Sequence, residues 1–208
     1  MAAMDFSESS ATWDDDPTRV DRAARVARAI RSALALDHPR TLEIGCGTGL
    51  LARALADQLG PVTLIDSAPG MVEVAAEQAR AAGHEDWTAT LVSLGTDELP
   101  AGPFGLAISQ LALHHVHDVP AALSQIYQVL GTGGQIAVAD LDHDPDGHFH
   151  SEHADFDGHH GFIRDQFAGW LRDAGFADVT VSTATTLTKE VGGTEQPFDV
   201  FLATGRRR

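Results

Sequence analysis

The stretch Leu42-Glu43-Ile44-Gly45-Cys46-Gly47-Thr48-Gly49 limits the fold more than any other part of the chain. Thr41, Leu42 and Ile44 are apolar or β-branched and read as a buried strand, while Leu50, Leu51, Ala54, Leu55 and Leu59 follow at helical spacing. Between strand and helix, Gly45, Gly47 and Gly49 have no Cβ. They are free to take tight or left-handed conformations, and their N–H groups can face a bound molecule at a helix N-terminus.

The rest of the chain repeats this alternation. Residues 1–15 are small, polar and acidic apart from Phe6 and Trp13, and their composition predicts a loosely ordered segment. Asp16 before Pro17 is a helix start, and Val20, Ala23, Ala27, Ile30 and Leu34 give a helix over 16–36 one apolar face. Arg19, Arg22, Arg25, Arg28 and Arg31 recur every third residue and read as its solvated side. A second strand over 61–66 ends in Asp66. Pro69 then opens a helix with Met71, Val72, Ala75 and Ala79 inward and Gly83 past its end. Strands are predicted over 87–94, 104–109 and 135–139, the last after a Gly131-Thr132-Gly133-Gly134 turn, with a helix over 119–130. A helix over 163–174 stops at Gly175, and strands over 179–184 and 200–204 close the chain as an antiparallel pair. Strands alternating with helices predict an α/β fold with a parallel sheet covered on both faces, in one domain over 1–208.

Charge and composition narrow the partners. With 30 acidic against 14 basic residues the net charge is -16, which opposes a phosphate-backbone contact or an anionic membrane surface, so nucleic acid is not expected. Cys46 is the single cysteine, no apolar run approaches the roughly 20 residues of a membrane span, and the N-terminus lacks a basic-then-apolar signal pattern. A cytoplasmic enzyme or binding protein is expected.

One segment breaks the alternation. Residues 140–160 carry seven acids, six histidines and neither Lys nor Arg, without helical or strand periodicity, and read with Gly161 as a long active-site loop. His148, His150, His153, His159 and His160 alternate there with Asp155 and Asp157. The spacing matches no compact ligand motif, so no metal is expected.

Dinucleotides and adenosyl cofactors both sit at such a first glycine turn. The dinucleotide fingerprint wants glycine at its first, third and sixth positions; here the sixth is Leu50, which disfavours nicotinamide and flavin. Asp66, at the end of the second strand, suits a ribose diol in either case.

The glycine stretch resembles the first motif of class I S-adenosylmethionine-dependent methyltransferases. Leu64-Ile65-Asp66-Ser67-Ala68-Pro69-Gly70-Met71, Leu111-Ala112-Leu113-His114-His115-Val116 and Val129-Leu130-Gly131-Thr132-Gly133-Gly134 with 136–140 agree in order and spacing. The likeness covers about 41–141 and is greatest to the small-molecule subgroup related to quinone-biosynthesis enzymes. It implies a Rossmann-like, doubly wound, seven-stranded sheet, mostly parallel with an antiparallel last strand. It also implies S-adenosylmethionine as cofactor and methyl transfer to an oxygen, nitrogen or carbon of a small molecule. By the same likeness Glu43 and Gly45 serve the methionine end, with Cys46, Gly47 and Gly49 in the turn. Asp66 would accept the ribose hydroxyls, Ser67 and Met71 would lie beside the adenine, and Gln110 and Leu111 would lie under the sulfonium. The Asp that the family usually places near the adenine amino group falls on Gly95, where Thr96 or Asp97 can substitute; Gly105 and Gln128 depart from the pattern too. Those glycines leave a non-catalytic, cofactor-binding regulatory module as the alternative. His114 and His115 match a structural feature of the family pattern, near where an acceptor would lie. His115, His159 and His160 are the candidate bases, if the acceptor must lose a proton.

Overall fold

The computed structural model describes residues 6–152 and 156–208. Thr41–Ile44 (β1), Val62–Asp66 (β2), Thr88–Leu91 (β3), Phe104–Gln110 (β4), Leu130–Leu141 (β5), Ala177–Val191 (β6) and Thr194–Arg206 (β7) form a seven-stranded sheet. Its order is β3-β2-β1-β4-β5-β7-β6. Strands β1 to β5 pair in parallel, and β7 runs antiparallel to both β5 and β6. The chain winds outward from β1 through β2 to β3, then restarts on the other side of β1 with β4. Such a reversal opens a crevice at the carboxyl ends of the strands.

Helices Pro17–Ala33 (α1), Leu50–Leu55 (α2) and Pro69–Ala81 (α3) cover one face; Val119–Val129 (α4) and Arg164–Asp173 (α5) cover the other. The strand alternation divides the core accordingly. Leu106 and Ile108 pack with Val26, Ile30, Leu51 and Leu55, whereas Ala107, Leu42 and Ile44 pack with Leu123, Ile126, Phe167 and Leu171. Asp16 caps α1 by accepting from the Thr18 N–H at 2.9 Å.

Four expectations are corrected. Phe6–Asp15 is a 3-10 helix, not a loose segment. It is tied down by Asp14, which accepts from Thr48 Oγ1 and pairs with Arg53, both at 2.5 Å. The closing strands are far longer than predicted, 15 and 13 residues, because their outer arms meet through Gly192 and Gly193 and bury no continuous apolar face. Gly131 to Gly134 lies within β5, where the register against β4 shifts, rather than in a turn that precedes a strand.

Asp140 and Leu141 also belong to β5, so the irregular loop begins at Asp142. Its base is cinched by Phe162 N–H to the Leu141 carbonyl at 2.8 Å and Asp144 N–H to the His160 carbonyl at 2.8 Å. Arg164 grips Asp142 through two bonds of 2.7 and 2.5 Å. Higher up, Lys189 of β6 donates to the Phe149 carbonyl at 2.7 Å and meets Glu152 at 3.0 Å. The loop is thereby folded over the sheet. His153 and Asp155, named above among potential metal ligands, lie outside the described residues.

Candidate active site

The glycine turn is held in shape by sterics and by Asp66. Gly45, Gly47 and Gly49 take φ of +61°, +52° and +80°. At Gly45 a Cβ would collide with that of Ala112, so the residue is needed for both its conformation and its closeness to the segment after β4. The Gly47 N–H donates to Asp66 Oδ2 at 2.8 Å and the Ala68 N–H to Oδ1 at 2.9 Å, so one carboxylate braces the turns after β1 and β2. Burial pushes the Asp66 carboxyl up, while the N–H donors of Ala68, Gly47 and Ser67 pull it down.

Glu43 sits one layer deeper, 2% exposed, with Oε2 accepting from the Ala52 N–H at 3.2 Å. Burial drives its carboxyl up to about 8. Cys46 beside it is also buried, and desolvation raises its thiol well above the usual range, which leaves it unreactive packing rather than a nucleophile.

A cavity of about 940 Å³ opens where these turns meet the ends of β1, β2 and β4. That is near the top of the roughly 300–1,000 Å³ typical of ligand sites. Of the cofactor residues assigned by resemblance, all line it except Gly49, whose neighbours are Leu64 and Ala75 in the core. Thr96 stands at the wall, whereas Asp97 is spent accepting from the Ser93 N–H at 2.8 Å. Leu111 follows β4 with φ +50°, a strained value for a side chain with a Cβ, held by its N–H to the Ala139 carbonyl at 2.8 Å. Gly105 is remote from the cavity, at a point on β4 where a Cβ would press on Pro39 at 3.0 Å.

The candidate bases separate. His115 lines the cavity. His159 does not: its Nε2 lies 3.0 Å from the Val116 carbonyl and its N–H donates to the His114 carbonyl at 2.7 Å, which makes it a strut. His160 packs behind the wall against the rings of His150 and Phe156, at 5.6 and 5.3 Å between centroids.

One lining residue, Arg22, carried no readable signal in the sequence. The periodic arginines diverge in role: Arg19 stacks on Trp13 at 3.7 Å, Arg25 pairs with Asp21 and Arg31 with Asp57, but Arg22 turns into the cavity. Its Nε is buried without a partner among the described residues, and burial lowers its guanidinium to about 10. Trp13 lines the same wall, its Nε1 4.0 Å from where a Gly47 Cβ would stand. Opposite, His114 and Asp140 form a buried pair, Nδ1 to Oδ1 at 2.6 Å.

These groups suit a nucleoside that carries an amino acid. Glu43 and Gln110 Oε1 are acceptors near the turn, Arg22 is a buried cation, and neither Gln110 Oε1 nor Arg22 Nε has a partner among the described residues; Asp66 is a carboxylate at the end of β2, and Met71 and Val92 offer an apolar slot. An unpaired buried polar atom costs about 1–3 kcal/mol, which a ligand relieves.

A profile of the methyltransferase-domain family matches residues 19–181. The chain is 42% identical over 159 residues to the biotin biosynthesis bifunctional protein BioCD of Bordetella avium, covering 74% of this chain and 31% of that protein. It is 34% identical over 126 residues to malonyl-[acyl-carrier protein] O-methyltransferase of Serratia marcescens, covering 58% and 48%. The chain thus spans less than half the length of these curated relatives. A solved Thermotoga maritima structure, described as an S-adenosylmethionine-dependent methyltransferase and possible histamine N-methyltransferase, superposes with a TM-score of 0.72 over 98% of both chains at 19% identity. That last likeness is one of fold. With the profile spanning most of its length and the glycine turn, Asp66 and the post-β4 segment meeting in one cavity, the chain belongs to the methyltransferase-domain family.

Proposed function

We propose that this chain transfers the methyl group of S-adenosylmethionine to a small-molecule acceptor held in the same cavity. The observation that carries the reading is the pair of buried polar atoms without a partner among the described residues, Arg22 Nε and Gln110 Oε1, in the cavity at the glycine turn. One is a cation and the other an acceptor, as an amino-acid zwitterion beside a sulfonium requires.

In this reading Arg22 meets the carboxylate and Glu43 the ammonium of the methionine end. The backbone of Gly45 and Gly47 lets both approach. Asp66 accepts the ribose diol, Ser67, Met71 and Thr96 border the adenine, and Gln110 and Leu111 lie beneath the sulfur. Bound there, the cofactor supplies a methyl on a positively charged sulfur, electrophilic enough for alignment and water exclusion to do most of the catalytic work. Trp13, Phe149, His150 and Phe156 line the cavity and supply the walls that would exclude water around the bound cofactor. A cytoplasmic setting suits one buried, free thiol, and no helix among the described residues is long and apolar enough to cross a membrane.

Calorimetry with S-adenosylhomocysteine tests the assignment. Wild type should bind, and Asp66→Ala should bind at least about 10-fold more weakly, a loss of about 1.4 kcal/mol. No binding by wild type, or undiminished binding by the variant, would overturn it.

A further inference from the structure

The part of the cavity beyond the glycine turn contains a buried His–Asp pair that cofactor binding does not use. Asp140 is fully buried at the end of β5, and its carboxylate is saturated with donors. Oδ2 accepts from the N–H groups of Leu113 and His114 at 3.0 and 3.3 Å, and Oδ1 from that of Leu141 at 2.8 Å. The remaining partner is His114 Nδ1 at 2.6 Å. A carboxylate so placed is an acceptor only, so Nδ1–H donates to it and Nε2 is the ring nitrogen left for a ligand. His114 lines the cavity, and Nε2 has no protein partner among the described residues.

Flat rings form much of the wall around it, and Glu152, Asp157 and Lys189 line the same cavity. His150 stacks on Phe156 with centroids 3.7 Å apart and planes 4° from parallel, and the His115 ring meets Phe156 edge-on at 5.5 Å. His150 Nδ1 is buried without a partner among the described residues, a second polar atom left for a ligand. Burial holds His150 down to about 3, so it stays neutral near pH 7. The titratable groups facing the His114 ring are Asp140 from β5, His115 beside it and His150 from the covering loop.

We propose that His114, oriented by Asp140, is the general base for the methylation of a flat, weakly acidic hydroxyl of the phenol type. The proposal rests on the methyl-transfer reading above. The acceptor oxygen bonds to the methyl carbon as the carbon–sulfur bond breaks and its electron pair passes to sulfur. The hydroxyl proton moves to Nε2 of His114, the imidazolium is paired with Asp140, and the proton later leaves to solvent. The products are a methyl ether, the thioether and one proton. A carboxylate acceptor is already ionised near neutral pH and needs no base, so the pair favours a hydroxyl over an acid such as the malonyl group named for the Serratia relative.

Two readouts test this. The first is the visible spectrum of para-nitrophenol bound to the S-adenosylhomocysteine-loaded protein, titrated with pH: wild type should bind the phenolate below the pH at which the free phenol ionises, and His114→Gln should lose that shift. The second is turnover of a phenol series against benzoate and malonate. His114→Gln should lower kcat for unactivated phenols about 100-fold, as loss of a general base does. It should lower kcat several-fold at most for para-nitrophenol, which needs no base, with KM and S-adenosylhomocysteine affinity within about 3-fold of wild type. Asp140→Asn should shift the pH profile and not KM. Preference for carboxylates, an equal loss for acidic and ordinary phenols, no phenolate shift in wild type, or binding of S-adenosylhomocysteine without binding or turnover of any phenol would overturn the proposal. The last outcome leaves the cofactor reading standing, whereas wild type failing to bind S-adenosylhomocysteine removes that reading first. Should His114→Gln not fold, the wild-type spectral titration decides alone.

Discussion

Glu43 is a carboxyl group in the wrong place for stability. It is 2% exposed in the middle of the sheet end, held by one backbone N–H, and its pKa is pushed from the ordinary 4.5 to about 8 by desolvation. The folded chain therefore keeps a proton between about pH 4.5 and 8 that the unfolded chain has lost. Stability falls as pH rises across that window, by up to about 1.4 kcal/mol per unit, and levels off above it. Chemical denaturation of the ligand-free protein at steps from pH 5 to 8.5 should show this decline, and Glu43→Gln should flatten most of it. A variant with the wild-type slope would assign the proton elsewhere, Asp66 being the next raised carboxyl. The identity of Glu43 was legible because it stands in a glycine motif with a family pattern. Arg22 was not, because a row of arginines every third residue looks the same whether solvent or a cavity lies beside it. Only the tertiary position of α1 separates Arg22 from Arg25. His114 and His115 are likewise adjacent identical residues, and what distinguishes them is Asp140, 26 residues on and one strand over.

At the scale of elements, the sheet could be read from the sequence wherever a strand was buried on both faces. Strands β1, β2 and β4 give near-continuous apolar runs and were placed to within a residue or two. The outer arms of β6 and β7 are Thr-, Glu- and Gln-rich and half exposed, so their pairing leaves no hydrophobic signature. The segment Phe6–Asp15 was illegible for another reason: its order comes from tertiary contacts, among them Asp14 on Thr48 and Arg53 and Arg19 on Trp13, not from its own composition. Those contacts hold Trp13 beside the glycine turn, where the proposed reading makes it a cover for the nucleoside. Trp13→Ala should weaken S-adenosylhomocysteine binding by about 10-fold, with the change mostly in the dissociation rate seen by stopped flow. A segment serving only as a brace would lower the melting temperature and leave dissociation untouched.

The site is assembled from every layer of the molecule. Helix α1 gives Arg22, the sheet ends give Glu43, Asp66 and Gln110, the loop after β5 gives His150 and Phe156, and β6 holds that loop through Lys189. The two apolar clusters lie on opposite faces of one sheet and are joined through its strands. Local opening of the site is thus costly, because its walls are also the covers of the core. Ligand occupancy should act on the whole fold as one unit. Calorimetric melting should give a single transition. S-adenosylhomocysteine at 100 times its dissociation constant should stabilise the fold by about 2.7 kcal/mol, an upward shift of roughly 5–10 °C for a chain of 208 residues. A second transition that ignores the ligand would mean that part of the sheet, the long β6–β7 hairpin foremost, unfolds independently of the site. In that event Lys189 would be an incidental contact of the loop and not the link that couples it to the core.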